Sequence, residues 1–390
     1  MNKINFLRII CITTFVVSMV MSIILCLPGN WDSAEASTTD EVKSKAYCLM
    51  DYGTGEVLLE KESKQHLPIA SVTKTMTLLL TFEAIEQGKF GLEDMLLSTQ
   101  NASGMGGSQV FLEPDTEYKV DDLLYAVIMS SANDASVVFA EAIAGSESAF
   151  VDMMNKKAQS LGLVDTNFVN CTGLPANNHY SCAHDVAVIM RELVGHQEYF
   201  NYTKERLRDF VHPTGRVTQM TNTNKLMRSY NGCDAGKTGS TVEAGYCLSA
   251  TAVRNNMRLI SVVLGADNSK QRFADCSTIF DYGFNNYESK CLVDTQQILY
   301  PQPVAHSKTA EIYVQPQQAF YQLTKKGEDS NTQVNFEYFK LSAPMKQGEV
   351  AGKIIITKDN VVTKEIDLVL SQDIQAMNYY ENIQHIAENW

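Results

Sequence analysis

From Met76 to Ile85 the chain places apolar side chains on nearly every side of a helix: Met76, Leu78, Leu79, Leu80, Phe82, Ala84 and Ile85. A surface helix keeps a polar face, so a helix without one belongs inside a domain, covered all round. The covering layers must come from elsewhere in the sequence. Gly88 is a natural stop for it.

Those layers are legible on both sides of the helix. Ala46 to Asp51 and Glu56 to Leu59 are apolar runs flanking Asp51-Tyr52-Gly53-Thr54-Gly55, which predicts a hairpin. Helices are expected over Val120 to Ala144, broken around Ser130 to Asp134, and over Ser148 to Leu161 and Ala183 to Leu193. Gly245 to Val253 and Met257 to Gly265 read as a second hairpin turning at Arg254-Asn255-Asn256, with a closing helix over 271–284. Early and late strands with helices between them make an α/β domain over 37–288. From residue 292 to 370 the character changes. Glu311 to Val314, Val334 to Leu341, Val350 to Ile356 and Val361 to Leu370 are short β-type segments split by polar turns, a small all-β domain. A chain of 390 residues with 45% apolar and 20% charged content accommodates both domains plus tails.

The ends read differently. Residues 1–36 look like an export signal: Lys3 and Arg8 precede an uncharged stretch over 9–27, and Ala34-Glu35-Ala36 offers a small-x-small cleavage site. The uncharged stretch is long for a signal, which leaves an uncleaved membrane anchor as the alternative. Lipidation at Cys26 is disfavoured by the bulky Leu25 before it. In the tail, 371–390, Ile374, Met377, Ile383, Ile386 and Trp390 recur at helical spacing, but its charged groups are Asp373, Glu381 and Glu388. Membrane-surface helices usually have a basic polar face, so anchoring through this tail is the weaker expectation. The formal charge of −13 makes nucleic acid a poor partner. Beyond the export segment stand seven cysteines, an odd number without regular spacing. That argues against a disulfide framework and leaves room for one or two bridges.

Three short segments carry the chemistry. Ser71-Val72-Thr73-Lys74 opens the apolar helix, placing a hydroxyl and an amine one turn apart on one face. A serine needs a base to become a nucleophile, and a lysine serves once burial or neighbouring positive charge discharges it. The helix start adds backbone N–H groups, so the Ser71 N–H is a candidate oxyanion donor. Ser131-Ala132-Asn133 supplies a second hydroxyl, able to pass a proton, and an amide, able to orient Lys74 or the substrate. By itself this segment reads as helix capping. Lys237-Thr238-Gly239 leads through Ser240 into an apolar strand. A strand edge with Lys and Thr, and Gly where a ligand backbone approaches, suits a peptide carboxylate, with the Ser240 N–H as second oxyanion donor. The set is sufficient for acyl transfer without metal or cofactor.

Together and in this order the three segments are far more specific than any one of them. Residues 42 to 370 resemble the low-molecular-weight penicillin-binding proteins, the serine-type D-Ala-D-Ala carboxypeptidases of peptidase family S11. The likeness rests on Ala70-Ser71-Val72-Thr73-Lys74-Thr75-Met76-Thr77, on Ser131-Ala132-Asn133-Asp134-Ala135 with Ala132 where the family has Gly, and on Asp234 to Thr241 with Ala244-Gly245-Tyr246. The resemblance implies a β-lactamase/transpeptidase-like catalytic domain followed by the β-rich domain. It implies that Ser71 is acylated and Lys74 is the base, and that Ser131 and Asn133 complete proton transfer and substrate placement. Lys237, Thr238 and Arg272 would engage the terminal carboxylate, Arg272 through the likeness of Arg272-Phe273-Ala274-Asp275. The implied partners are peptidoglycan pentapeptides as substrate and β-lactams as covalent inhibitors, outside the cytoplasm at the cell wall or the outer face of the cytoplasmic membrane.

Competing readings differ in the fate of the acyl-enzyme. A class A β-lactamase would carry Glu-x-x-Leu-Asn, whereas residues 168–180 read Phe-Val-Asn-Cys-Thr-Gly-Leu-Pro-Ala-Asn-Asn-His-Tyr. An endopeptidase acting on cross-links would use the same residues, and a non-turnover β-lactam or peptidoglycan sensor would look almost identical. A metallopeptidase built on Cys171, His179, Cys182 and His184 matches no zinc template.

Overall fold

The structure, a computed structural model, describes residues 41–296, 299–309, 311–328 and 331–388. The export segment read over 1–36 lies outside them. The expected hairpin forms from β1 (Ala46–Asp51) and β2 (Val57–Lys61). Five main helices follow: α1 (Lys74–Glu86), α2 (Val120–Ser130), α3 (Asn133–Ala144), α4 (Glu147–Ser160) and α5 (Ala183–Leu193). Strands β3 (Cys233–Thr241), β4 (Gly245–Arg254) and β5 (Met257–Ala266) then join the hairpin in an antiparallel sheet ordered β2-β1-β5-β4-β3. Asn255 and Asn256 turn β4 into β5 with φ of +49° and +61°, a left-handed pair that asparagine tolerates. Helix α6 (Ser269–Asn286) closes the far face.

Strand alternation sorts the core into two layers. From β1, Ala46, Cys48 and Met50 face α1 to α5 together with Ile260, Val262 and Leu264 of β5. Tyr47 and Leu49 face α6 with Leu259, Val263 and Phe280. Helix α1 sits in the first layer against α3 and α5, buried without a break from Lys74 to Phe82, as its all-round apolar surface requires. Burying Leu78, Leu79, Leu80 and Phe82 stabilises by about 1.5–3 kcal/mol each, which offsets the cost of holding a lysine in the same helix.

Strand β6 (Tyr287–Val293) runs on directly from α6, followed by β7 (Leu299–Ala305), β8 (Glu311–Pro316), β9 (Phe320–Lys325), β10 (Thr332–Tyr338), β11 (Leu341–Ser342), β12 (Val350–Lys358) and β13 (Val361–Leu370). They make a six-stranded sheet, β10-β12-β13-β8-β7-β11, and the pair β6-β9 around Ile312, Val314, Ile354, Ile356, Ile366 and Leu368. The sequence reading lacks β6, β7 and β9, because Lys290, Pro303 and Gln322 interrupt their apolar alternation.

Two expectations are corrected. The seven cysteines of the described residues are all free thiols, so the room left for bridges is unused there. Cys48 and Cys276 lie in different core layers and Cys291 is exposed, too dispersed to pair systematically. The tail helix begins at Tyr379, not near Ile374. Ile374 is buried and bridges to Met345, and the helix start is tied down by Lys308 to Glu381 at 3.1 Å. The Ile386 side chain and Trp390 lie outside the described residues. No helix among the described residues is long and apolar enough to cross a membrane.

Candidate active site

Ser71 lies in a 3-10 turn, Ala70–Thr73, and α1 starts at Lys74 rather than at the serine. The cause is a sharp bend. Ala70 has φ +48°, and Gly173 (φ +81°) packs so closely that a side-chain carbon there would sit 1.9 Å from the Ala70 carbonyl oxygen. The first turn therefore tightens: the Val72 N–H donates to Ile69 and the Lys74 N–H to Ser71, both to residues three back. Ser71 remains half-buried while Val72, Thr73 and Lys74 enter the core.

Lys74 Nζ lies 3.1 Å from Ser71 Oγ and donates to Asn133 Oδ1 and to the Thr172 carbonyl, each at 2.6 Å. Burial pushes its pKa from 10.5 down to about 7, against smaller upward pulls from Cys171 and Asp134. A neutral amine has two N–H groups and one lone pair. The two short acceptors use the N–H groups, which leaves the lone pair for the Ser71 hydroxyl proton.

The Thr172 carbonyl is held by a loop that is absent from the sequence-derived set. Asn170 Oδ1 accepts the N–H groups of Thr172 at 3.1 Å and Gly173 at 2.7 Å, and its Nδ2 donates to the Leu174 carbonyl. The only signal in the sequence is turn chemistry, an Asn three residues before a Gly.

Ser131 takes the C-cap position of α2, but neither its side chain nor that of Asn133 is spent on capping a helix. Ser131 follows α2 in a left-handed conformation (φ +59°), and its Oγ accepts from Lys237 Nζ at 2.8 Å. Asn133 opens α3, but its amide spans from Lys74 to the Gly106 carbonyl. Ala132, between them, has φ −60° and ψ 120°, a conformation open to any residue, so the departure from Gly is tolerated. Asp134, buried below, accepts the N–H groups of Val110 and Leu112 and fixes the loop that Asn133 touches.

Lys237-Thr238-Gly239 lies in β3, the edge strand of the sheet, with all three residues buried and Ser240 exposed. Gly239 brings the strand against the serine: a Cβ there would fall 2.8 Å from Ser71 N and Ile69 O. Gly239→Ala should therefore push β3 away and slow acylation by at least about 100-fold, with the melting temperature changed far less; stopped-flow acylation and a thermal scan measure the two. Lys237 Nζ also donates to the Thr238 carbonyl at 2.9 Å, and Thr238 Oγ1 to Thr223 Oγ1 at 2.8 Å. Burial, then Lys74 and Arg272, hold Lys237 well below the usual lysine range.

Arg272 stands behind the strand. Its guanidinium donates to the carbonyls of Gly239 at 3.1 Å and Cys247 at 3.2 Å, and to Ser269 Oγ. It braces the β3–β4 edge and adds positive charge there. The residues of the rejected metal reading have separate partners. His179 Nε2 meets Thr73 Oγ1, Cys171 Sγ donates to Glu147, and His184 Nδ1 meets Asp185.

The family described as D-alanyl-D-alanine carboxypeptidase matches residues 33–268, and the penicillin-binding protein 5 C-terminal domain matches residues 287–376. The chain is 37% identical over 370 residues to the D-alanyl-D-alanine carboxypeptidase DacF of Bacillus subtilis, covering 93% of this chain and 94% of the relative. Among solved structures, penicillin binding protein 5 from Haemophilus influenzae is 32% identical with a TM-score of 0.65, covering 86% of this chain and 98% of that one. A peptidoglycan synthesis regulatory factor (PBP3) from Streptococcus pneumoniae is 28% identical with a TM-score of 0.71, covering 86% and 100%.

Proposed function

The chain belongs to the D-alanyl-D-alanine carboxypeptidase family of serine peptidases, and from that premise we propose that Ser71 is the residue through which it acts. The protein is a serine D-Ala-D-Ala carboxypeptidase with a penicillin-binding fold and a C-terminal all-β domain. One observation carries the assignment of the nucleophile: a buried amine, with both N–H groups taken by Asn133 and Thr172, beside the Ser71 hydroxyl.

In this reading Ser71 Oγ attacks the carbonyl of the penultimate D-alanine and gives its proton to Lys74. The N–H groups of Ser71 and Ser240 hold the oxyanion. Ser131 relays the proton to the nitrogen of the terminal D-alanine, the C–N bond breaks, and an ester on Ser71 remains. Water then attacks that ester, Lys74 takes its proton and passes it to Ser71 Oγ as the ester C–O bond breaks, and the shortened peptide leaves. Lys237 and Thr238 receive the substrate carboxylate, whose charge draws Lys237 back toward its protonated form. Asn133 places Lys74 and the substrate backbone. Arg272 acts on the carboxylate through its charge and through the strand it braces. β-Lactams, which mimic the scissile peptide, acylate the same serine.

The division into a peptidase domain over 37–288 and a β-rich domain over 292–370 is supported by the two family matches. Export rests on the sequence of residues 1–36, read as a cleaved signal, with an uncleaved anchor in that segment as the alternative and the short, acidic tail as the weaker tether. Purified protein should release D-alanine steadily from a pentapeptide ending in D-Ala-D-Ala. Acylation without turnover would make it a sensor instead, and faster cleavage of a cross-linked dimer would make it an endopeptidase.

A further inference from the structure

Charge is spread unevenly along this chain. Residues 204–228 carry six cations, Lys204, Arg206, Arg208, Arg216, Lys225 and Arg228, against two anions, Glu205 and Asp209, a net charge of +4 in a protein of −13. Arg208 is taken by Asp121, Asp122 and Glu205, and Arg216 by Glu113. Lys204, Arg206, Lys225 and Arg228 are exposed, and their side chains have no hydrogen-bond or ion-pair partner among the described residues. Asn222 gathers the two halves of the segment. Its N–H donates to the Arg206 carbonyl at 3.0 Å, and its side-chain amide to the carbonyls of Thr203 at 2.9 Å and Glu205 at 3.2 Å. Lys225 and Arg228 follow within one helical turn, the Arg228 N–H donating to the Lys225 carbonyl at 3.1 Å.

The same segment borders the catalytic cleft. Thr223 Oγ1 accepts from Thr238 Oγ1 at 2.8 Å, the Thr223 N–H donates to the Met129 carbonyl at 3.2 Å, and Asn224 Nδ2 donates to the Ala235 carbonyl at 3.4 Å. The four free cations are thus carried by the chain that flanks β3 from Ala235 to Thr238, the end of the cleft that receives the terminal carboxylate. A protein of net charge −13 repels an anionic polymer over most of its surface, so a local positive face decides which side such a polymer meets. We infer that this face holds the peptidoglycan strand itself, a polyanion whose stems each end in a carboxylate, with Lys204, Arg206, Lys225 and Arg228 engaging stems next to the one being cleaved. A single exposed ion pair contributes little. Carboxylates linked on one strand arrive together, and their contributions multiply. The inference rests on the carboxypeptidase reading and adds that stems on a strand are processed in preference to isolated ones.

The test compares D-alanine release, per stem, from a soluble glycan strand bearing pentapeptide stems and from the same pentapeptide free in solution. At low ionic strength the wild-type protein should favour the strand by about tenfold in kcat/KM, and the advantage should fall toward one as salt is raised. Lys225→Glu combined with Arg228→Glu should remove most of it, while kcat/KM for the free pentapeptide stays within about twofold of the wild type. No strand advantage in the wild type, one that salt does not touch, or one that the charge reversal leaves intact would overturn the inference; release from the free pentapeptide would still support the carboxypeptidase reading. No D-alanine from either substrate would overturn that reading, and the inference with it. Sedimentation of the Ser71→Ala variant with insoluble peptidoglycan identifies the polyanion. Binding should survive acid removal of phosphodiester-linked polymers, and binding lost with those polymers would overturn the assignment to the glycopeptide strand.

Discussion

Ser71→Ala should lose roughly 10⁴-fold or more in kcat/KM for D-alanine release, because no other group can form the ester. The fold should survive. Ser71 is half-buried in a turn whose backbone bonds run from Val72 to Ile69 and from Lys74 to Ser71, and none of them uses the hydroxyl. Lys74 keeps its two short acceptors in the variant, so the pocket stays satisfied. Substrate should still bind through the Lys237–Thr238 edge, giving a variant that retains peptide affinity and fails at chemistry. Steady-state kinetics with isothermal titration against an uncleaved peptide separates these. A variant that turned over within tenfold of the wild type would place the nucleophile elsewhere.

Lys74 gives the second large effect. Lys74→Ala and Lys74→Arg should each lower acylation by roughly 10³–10⁴-fold. Arginine tests the role most sharply, since it keeps the charge but cannot give up its proton. In the wild type, acylation should rise with pH through about 7 as the amine loses its proton, and this limb should vanish in both variants. Stability moves in a related way. Between about 7 in the folded protein and the unperturbed 10.5, the unfolded chain binds the proton that the native lysine has lost. Stability therefore rises with pH across that window and is lowered, to a constant level, beneath it. Lys74→Met removes the group, so its advantage in melting temperature over the wild type should grow as pH falls from 10.5 to 7 and then level off. Activity and stability thus oppose each other at one residue: the burial that makes the amine a base costs the fold.

Much of the architecture is legible in the sequence, for a physical reason. The all-round apolar character of α1 demands a central helix, and the β4–β5 hairpin announces itself through paired asparagines. The reacting side chains are legible because hydroxyls and amines stand out against apolar surroundings. The groups that hold them are not. The Thr172 carbonyl is a backbone group, and every residue has one; its role appears only when Asn170 folds the loop against Lys74. The left-handed turn at Ser131 and the tight entry at Ala70 are similarly invisible, since neither residue favours positive φ. The resemblance implies that Arg272 engages the carboxylate; the structure adds that its terminal nitrogens reach the carbonyls of Gly239 and Cys247 and the Ser269 hydroxyl. The tail misleads: helical spacing continues through Ile374, but pairing with Met345 takes that residue into the β-rich core.

Peptide mapping of the wild-type protein after brief exposure to benzylpenicillin tests the shared cleft most directly. The penicilloyl adduct should be found on the peptide containing Ser71, it should form faster as pH rises through about 7, and a D-Ala-D-Ala peptide should slow it by competition. An adduct on any other residue, or labelling of Ser71 that the peptide substrate does not slow, would contradict the account.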